Sequence, residues 1–181
     1  MSQYDIIGIS GLQCSGKDFA AEYIAREYGY LHISTGDILR ARAKELGLDM
    51  SRRSLQALGY QLRKENDGRD PLLLEALSSL SGNTVLTGIR TLDAARSIID
   101  APGRLLYIEA PLEVRFERSV SRARVDHVSM DEFIINDQIE HYGAEDTDMS
   151  LFAVKSIASR VICNHASEES YRQLLRDFVE S

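Results

Sequence analysis

The chain has 181 residues, 44% of them hydrophobic and 27% charged, with three prolines and a formal charge of −7. That length fits one domain with a sizeable core, since roughly 150 residues already bury about two-thirds of the surface an unfolded chain exposes. The balance excludes a disordered or fibrous chain, no stretch approaches the roughly 20 apolar residues that span a bilayer, and the net charge disfavours a nucleic-acid partner.

The first residues, "MSQYDIIGIS", run into an apolar segment with no basic stretch ahead of it, so a secretory signal is not expected and the cytoplasm is. Cys14 and Cys163 are far apart and outside any C-x-x-C spacing, and the four histidines are scattered. Neither a disulfide framework nor a zinc cluster is expected.

In chain order, residues 4–10 ("YDIIGIS") read as the first strand, followed by the glycine-rich "GLQCSGKD" and the helical "KDFAAEYIAREY". A second strand is expected at 30–33. Between Ser51 and Asn66, Leu55, Leu58 and Leu62 recur at helical spacing, with Arg52, Arg53, Arg63, Lys64 and Glu65 expected mainly on the surface. Asp70 before Pro71 is an N-cap ahead of a proline at the first helical position. Strands follow at 84–88, 104–110 and 159–164. Between the last two, Pro111 opens a helix, and Ser129 with Glu132 has capping-box spacing. The final helix, begun at Ser167, puts Tyr171, Leu174, Leu175, Phe178 and Val179 on one face. Short apolar strands alternating with amphipathic helices predict an α/β layered fold: a five-stranded parallel sheet, its strands mostly buried on both sides, covered by helices. No repeat or linker divides the chain, so residues 1–181 are expected to form one domain.

Residues 11–17 fit G-x-x-x-x-G-K between a strand and a helix, the context in which that spacing binds phosphate. Curled backbone amides from Gly11, Leu12, Gln13, Cys14, Ser15 and Gly16 can point at phosphate oxygens, the helix N-terminus adds its positive end, and Lys17 can reach terminal phosphates. Asp18 stands where such loops usually carry a metal-binding Ser or Thr, and Thr87 where many small kinases carry a metal-shell Asp. A carboxylate at 18 is also a hard oxygen ligand for Mg²⁺, so the two departures fit one displaced metal group. A favourable charge at the helix N-terminus is the simpler alternative for Asp18. Cys14 is read as filler of a tight turn rather than a redox switch.

"HISTGDILRARAKELG", "VLTGIRTLDAA" and "PLEVRFERSVSRAR" together resemble the adenylate kinase group of P-loop nucleoside monophosphate kinases, and "SRVICNHASEESY" resembles the last strand and helix of small P-loop kinases. The resemblance implies a three-layer P-loop NTPase fold, with an acceptor-binding segment at about 36–80 and a lid at about 119–147. It implies that Arg40 and Arg90 grip the acceptor's phosphate, that Thr35 lies near its base, and that Asp37, with Asp18, serves the metal. It also implies that Arg118 and Arg122, four apart on one helix face, reach over ATP and the moving phosphoryl group, and that Asn164 lies at the nucleotide. Arginine forks suit a doubly charged phosphate in a dry cleft. For Arg115 and Arg124 an exposed salt-bridged helix using Glu113 and Glu117 is the alternative to such a role. Where the family carries further lid arginines, this chain has "INDQIEHYG", with Asn136, Gln138 and His141.

The expected activity is transfer of the ATP γ-phosphoryl group, with Mg²⁺, to a phosphorylated small acceptor, foremost a ribo- or deoxynucleoside monophosphate. The GKD variant also occurs in some deoxynucleoside monophosphate kinases and in animal phosphomevalonate kinases. Phosphomevalonate and dephospho-coenzyme A kinases, and a non-catalytic nucleotide-binding module, remain as alternatives. A kinase acting on bases within DNA is disfavoured by the charge, and oligomeric state is left open.

Overall fold

The computed structural model describes residues 4–121, 129–143 and 149–181. Strands β1 (Ile6–Gly11), β2 (Leu31–Ser34), β3 (Thr84–Thr87), β4 (Arg104–Glu109) and β5 (Arg160–Cys163) form one sheet in the order β2-β3-β1-β4-β5. Every pairing is parallel. Each predicted strand is present, with ends displaced by a residue or two: β1 and β2 start and end later than expected, and β3, β4 and β5 are shorter.

β1, β3 and β4 carry almost unbroken apolar runs because both of their faces are covered, and alternate residues feed two separate cores. Ile6, Leu86, Leu105 and Tyr107 pack on one side with Leu73 and Ala76 of α4 (Pro71–Ser78), Ala95 and Ile98 of α5 (Leu92–Asp100), and Leu151 and Val154 of α8 (Leu151–Ser156). Ile7, Ile9, Val85, Leu106 and Ile108 pack on the other with Ala20, Ala21 and Ile24 of α1 (Lys17–Tyr28) and with Tyr171, Leu175 and Phe178 of α9 (Glu168–Val179). The outer strands depart from expectation: β2 and β5 are partly exposed, since each has a neighbour on one side only. Leu174, expected on the buried face of α9, is 40% exposed, at the margin of its apolar stripe.

The caps follow the sequence. Asp70 Oδ1 accepts from the amides of Leu72 and Leu73 at the start of α4, and Ser129 with Glu132 closes a capping box on α7 (Met130–Tyr142). Ser167 caps α9. The remaining helices are α2 (Thr35–Glu45), α3 (Arg52–Lys64) and α6 (Leu112–Ser121). α3 corrects one reading: Arg63, expected on the surface, is buried. Among the described residues no helix is long and apolar enough to cross a membrane.

Chain direction and strand order together create the site. From β1 the chain moves outward to β2, returns through β3, and then crosses to β4 on the other side of β1. The connections after β1 and β4 diverge, leaving a crevice beyond the carboxyl ends of the strands, where ligands bind in sheets of this kind.

Candidate active site

The loop after β1 is held from three sides. Asn164, just past β5, donates from Nδ2 to the Ser15 carbonyl at 2.8 Å, and the Tyr171 hydroxyl of α9 donates to the Gly16 carbonyl at 3.1 Å. Arg118 of α6 reaches the Cys14 and Ser15 carbonyls at 3.4 Å and the Asn164 carbonyl at 3.3 Å. With its carbonyls drawn outward, the loop is left with its amides for an incoming anion. Gly16 adopts φ 102° and is packed so closely that a Cβ there would lie 2.3 Å from Asn164 Nδ2. Cys14 takes a left-handed φ of 59° and is buried and unbonded to Cys163, in keeping with a turn filler.

Ser15 Oγ is buried inside the loop without a hydrogen-bond partner among the described residues, an orphaned group that an anionic oxygen could satisfy. Lys17 and Asp18 begin α1, Lys17 half-buried and Asp18 exposed. Burial holds the Lys17 ammonium below its ordinary pKa; Asp18 and Glu140 oppose that shift and Arg90 adds to it. These four charges therefore share one electrostatic neighbourhood.

The second half of the site lies at the ends of β2 and β3. Thr35, the first residue of α2, is buried and donates from Oγ1 to the Thr87 carbonyl at 3.2 Å. Thr87 Oγ1 in turn lies 3.0 Å from His32 Nε2, so this side chain links β3 to β2. Gly88 has φ 91°, and a Cβ there would meet Thr35 Oγ1 at 2.2 Å; glycine permits the close approach. Thr35, Gly36, Gly88 and Arg90 line a cavity of about 50 Å³ with Arg63 and Asp70. Ligand pockets usually measure roughly 300–1,000 Å³, so residues of α3 and α4 leave little open space here.

Arg40 and Asp37 form an ion pair one turn into α2, and that guanidinium holds the Asp37 carboxyl below its ordinary pKa. The guanidinium nitrogens of Arg40 come within 3.7 Å of where a Gly36 Cβ would stand. Arg40 thus stands beside Gly36, which lines the same small cavity as Arg90.

Two carboxylates were not singled out from the sequence. Glu140, buried on α7, accepts from Arg90 Nη1 at 2.7 Å. Asp137, one turn earlier, is held by both terminal nitrogens of the buried Arg115, with Nη2–Oδ2 at 2.8 Å. Arg115 therefore belongs to a buried bridge between α6 and α7, and does not form the exposed pairing with Glu113 and Glu117. The i, i+3 spacing of Asp137 and Glu140 was the available signal, but nothing in the sequence says that this face turns inward. Arg122 and Arg124 lie outside the described residues, as does part of the expected lid. Among the described residues no group of three or more His, Cys, Asp or Glu side chains could by itself hold a metal ion. An ion here would take most of its ligands from phosphate oxygens, completed by Asp18 or Asp37, an arrangement these oxygen donors fit.

Comparison with known proteins agrees with this architecture. The AAA domain family matches residues 10–135. A UPF0200 protein of Pyrobaculum aerophilum is 31% identical over 74% of this chain and 75% of its own length. A cytidylate kinase of Staphylothermus marinus is 28% identical over 97% of this chain and 96% of its own. The solved structure of TT1252 from Thermus thermophilus superposes with a TM-score of 0.63 at 26% identity, over 99% of this chain and 98% of that one. With its phosphate loop set in a five-stranded parallel sheet, the chain belongs to the AAA domain family and has the kinase-like P-loop fold.

Proposed function

We propose that this protein transfers the γ-phosphoryl group of ATP to a small acceptor that already carries a phosphate, a nucleoside monophosphate in its ribo or deoxy form. The observation that supports the reading is that Arg90 lies within electrostatic reach of Lys17, in the loop that Arg118 contacts, and lines a cavity with Gly36, beside which Arg40 stands. The cytidylate kinase named among its relatives adds to this reading and makes CMP the first acceptor to try.

In this mechanism the loop amides and Lys17 hold the β- and γ-phosphates, and Arg118 turns from its long contacts at 3.3–3.4 Å toward the triphosphate. Arg90 and Arg40 fix the acceptor phosphate in line, and its own oxygen is nucleophile enough at neutral pH, so positioning and charge neutralisation supply the catalysis. Asp18 and Asp37 are the protein groups that would hold Mg²⁺ or its water shell, and the ion would supply neutralisation of phosphate charge. The acceptor side opens to admit a nucleotide and closes again over it, shutting out water.

A coupled assay of Mg·ATP against each ribo- and deoxynucleoside monophosphate, dephospho-coenzyme A and phosphomevalonate tests the proposal. One nucleoside monophosphate should drive ADP formation, hydrolysis without acceptor should be slow, and Lys17→Met should lose at least about 100-fold in kcat. Turnover with a hydroxyl acceptor only, or with none, would overturn it.

A further inference from the structure

A buried carboxylate is an unexpected neighbour for a cleft meant to bring two phosphates together, because it cancels part of the positive charge that holds them. Glu140 is such a group. Its side chain is 4% exposed, it accepts from Arg90 at 2.7 Å, and its charge reaches Lys17. It is also firmly carried. α7 starts in a capping box and is tied to α6 through Asp137 and Arg115, so Glu140 stands on a braced helix.

Arg90 itself follows a left-handed glycine at the end of β3 and has a side chain 42% exposed. A long side chain in that setting samples many rotamers, and ordering it when a phosphate arrives costs conformational entropy. Holding Nη1 in advance removes much of that cost and fixes the plane of the fork. The other guanidinium nitrogens are left available to a phosphate in the cavity that Arg90 lines with Thr35 and Gly36.

We infer that Glu140 is the positioning residue of the acceptor site: it orients Arg90 before any acceptor binds and couples α7 to acceptor recognition. It does not take up the acceptor's proton. The kinetic half of this inference rests on the function proposed above; the structural half does not.

The experiment compares the full chain with Glu140→Gln, Glu140→Asp and Arg90→Lys. First, the Arg90 Nε–Hε group is followed by ¹⁵N relaxation in the ligand-free proteins. It should be ordered in the native chain and markedly more mobile in Glu140→Gln, with Glu140→Asp intermediate; equal order in native and Gln variants overturns the inference whatever the enzyme's substrate. Second, steady-state kinetics are measured with Mg·ATP and CMP, or the monophosphate that the acceptor panel selects. Glu140→Gln should raise acceptor KM about 10-fold, leave ATP KM within about twofold and kcat within about threefold, and have little further effect in the Arg90→Lys background. A collapse of kcat at unchanged acceptor KM, with loss of the acidic limb of the pH profile, would make Glu140 a general base and sink the proposal. If the native chain phosphorylates no monophosphate, the proposed function fails and the relaxation measurement alone decides Glu140.

Discussion

Asn164 and Ser15 are 149 positions apart in the chain, yet the Asn164 amide donates to the Ser15 carbonyl at 2.8 Å inside the phosphate loop. The same asparagine accepts from Arg118 at Oδ1, 3.4 Å away, so β5, α6 and the loop meet at one side chain. Replacing Asn164 by Ala leaves the buried Ser15 carbonyl only its long 3.4 Å contact with Arg118, a loss of about 1–3 kcal/mol. The expected outcome is a lower thermal midpoint and an ATP KM raised about 10-fold, with acceptor KM little changed, measured by thermal unfolding and initial rates.

Asp18 is exposed beside Lys17, while Thr87 is occupied by His32 and by Thr35. Asp18→Ala should therefore reduce Mg·ATP turnover by at least about 100-fold if the carboxylate serves the metal. Asp18→Asn should recover little of it, since the charge is lost. Titrating Mg²⁺ in the rate assay checks the assignment: the variants should need more metal, and an unchanged metal requirement would leave Asp18 as a helix-terminal charge.

Arg115 and Asp137 form a buried bidentate pair, with side chains 5% and 15% exposed. Removing one partner strands the other charge, so Arg115→Met or Asp137→Leu alone should destabilise by about 3–5 kcal/mol. The double variant should recover most of that loss, because the desolvation cost of both ions disappears together. Chemical denaturation of the four proteins closes the cycle.

His141 lies in the same region, its Nδ1 buried with no hydrogen-bond partner among the described residues. Burial lowers its pKa from the ordinary 6.5; Lys155 and Arg115 add to the shift, and Asp137 and Glu109 oppose it. Below pH 6.5 the unfolded chain therefore binds a proton that the folded chain resists, so stability falls with pH between 6.5 and the folded value and then levels off. His141→Gln should flatten that part of the stability profile, and NMR should show the native imidazole titrating below pH 6.5.

Gly88 carries φ 91° in the close approach between β3 and α2. Gly88→Ala should cost at least about 2 kcal/mol, from left-handed backbone strain and from the collision with Thr35 Oγ1. Acceptor KM should rise more than ATP KM, since Thr35 and Arg90 flank the displaced segment. Comparable increases in both would place the strain elsewhere.

Much of this molecule is local chemistry and was legible in its residues. Apolar runs bounded by turns located all five strands, because a strand covered on both sides has to be apolar throughout. The caps at Asp70, Ser129 and Ser167 follow from side-chain oxygens two or three residues from the amides they satisfy. The loop was readable because glycine and lysine spacing, with a strand before and a helix after, is itself the phosphate-binding device. What the sequence could not decide was which way a charged side chain turns once helices pack. Arg63, expected on the surface, is buried, Arg115 belongs to a buried bridge, and Asp137 and Glu140, not singled out from the sequence, face arginines 22 and 50 positions away. Those pairings depend on the relative placement of α6, α7 and the end of β3, set by packing across the whole sheet, and no local spacing encodes a partner that distant.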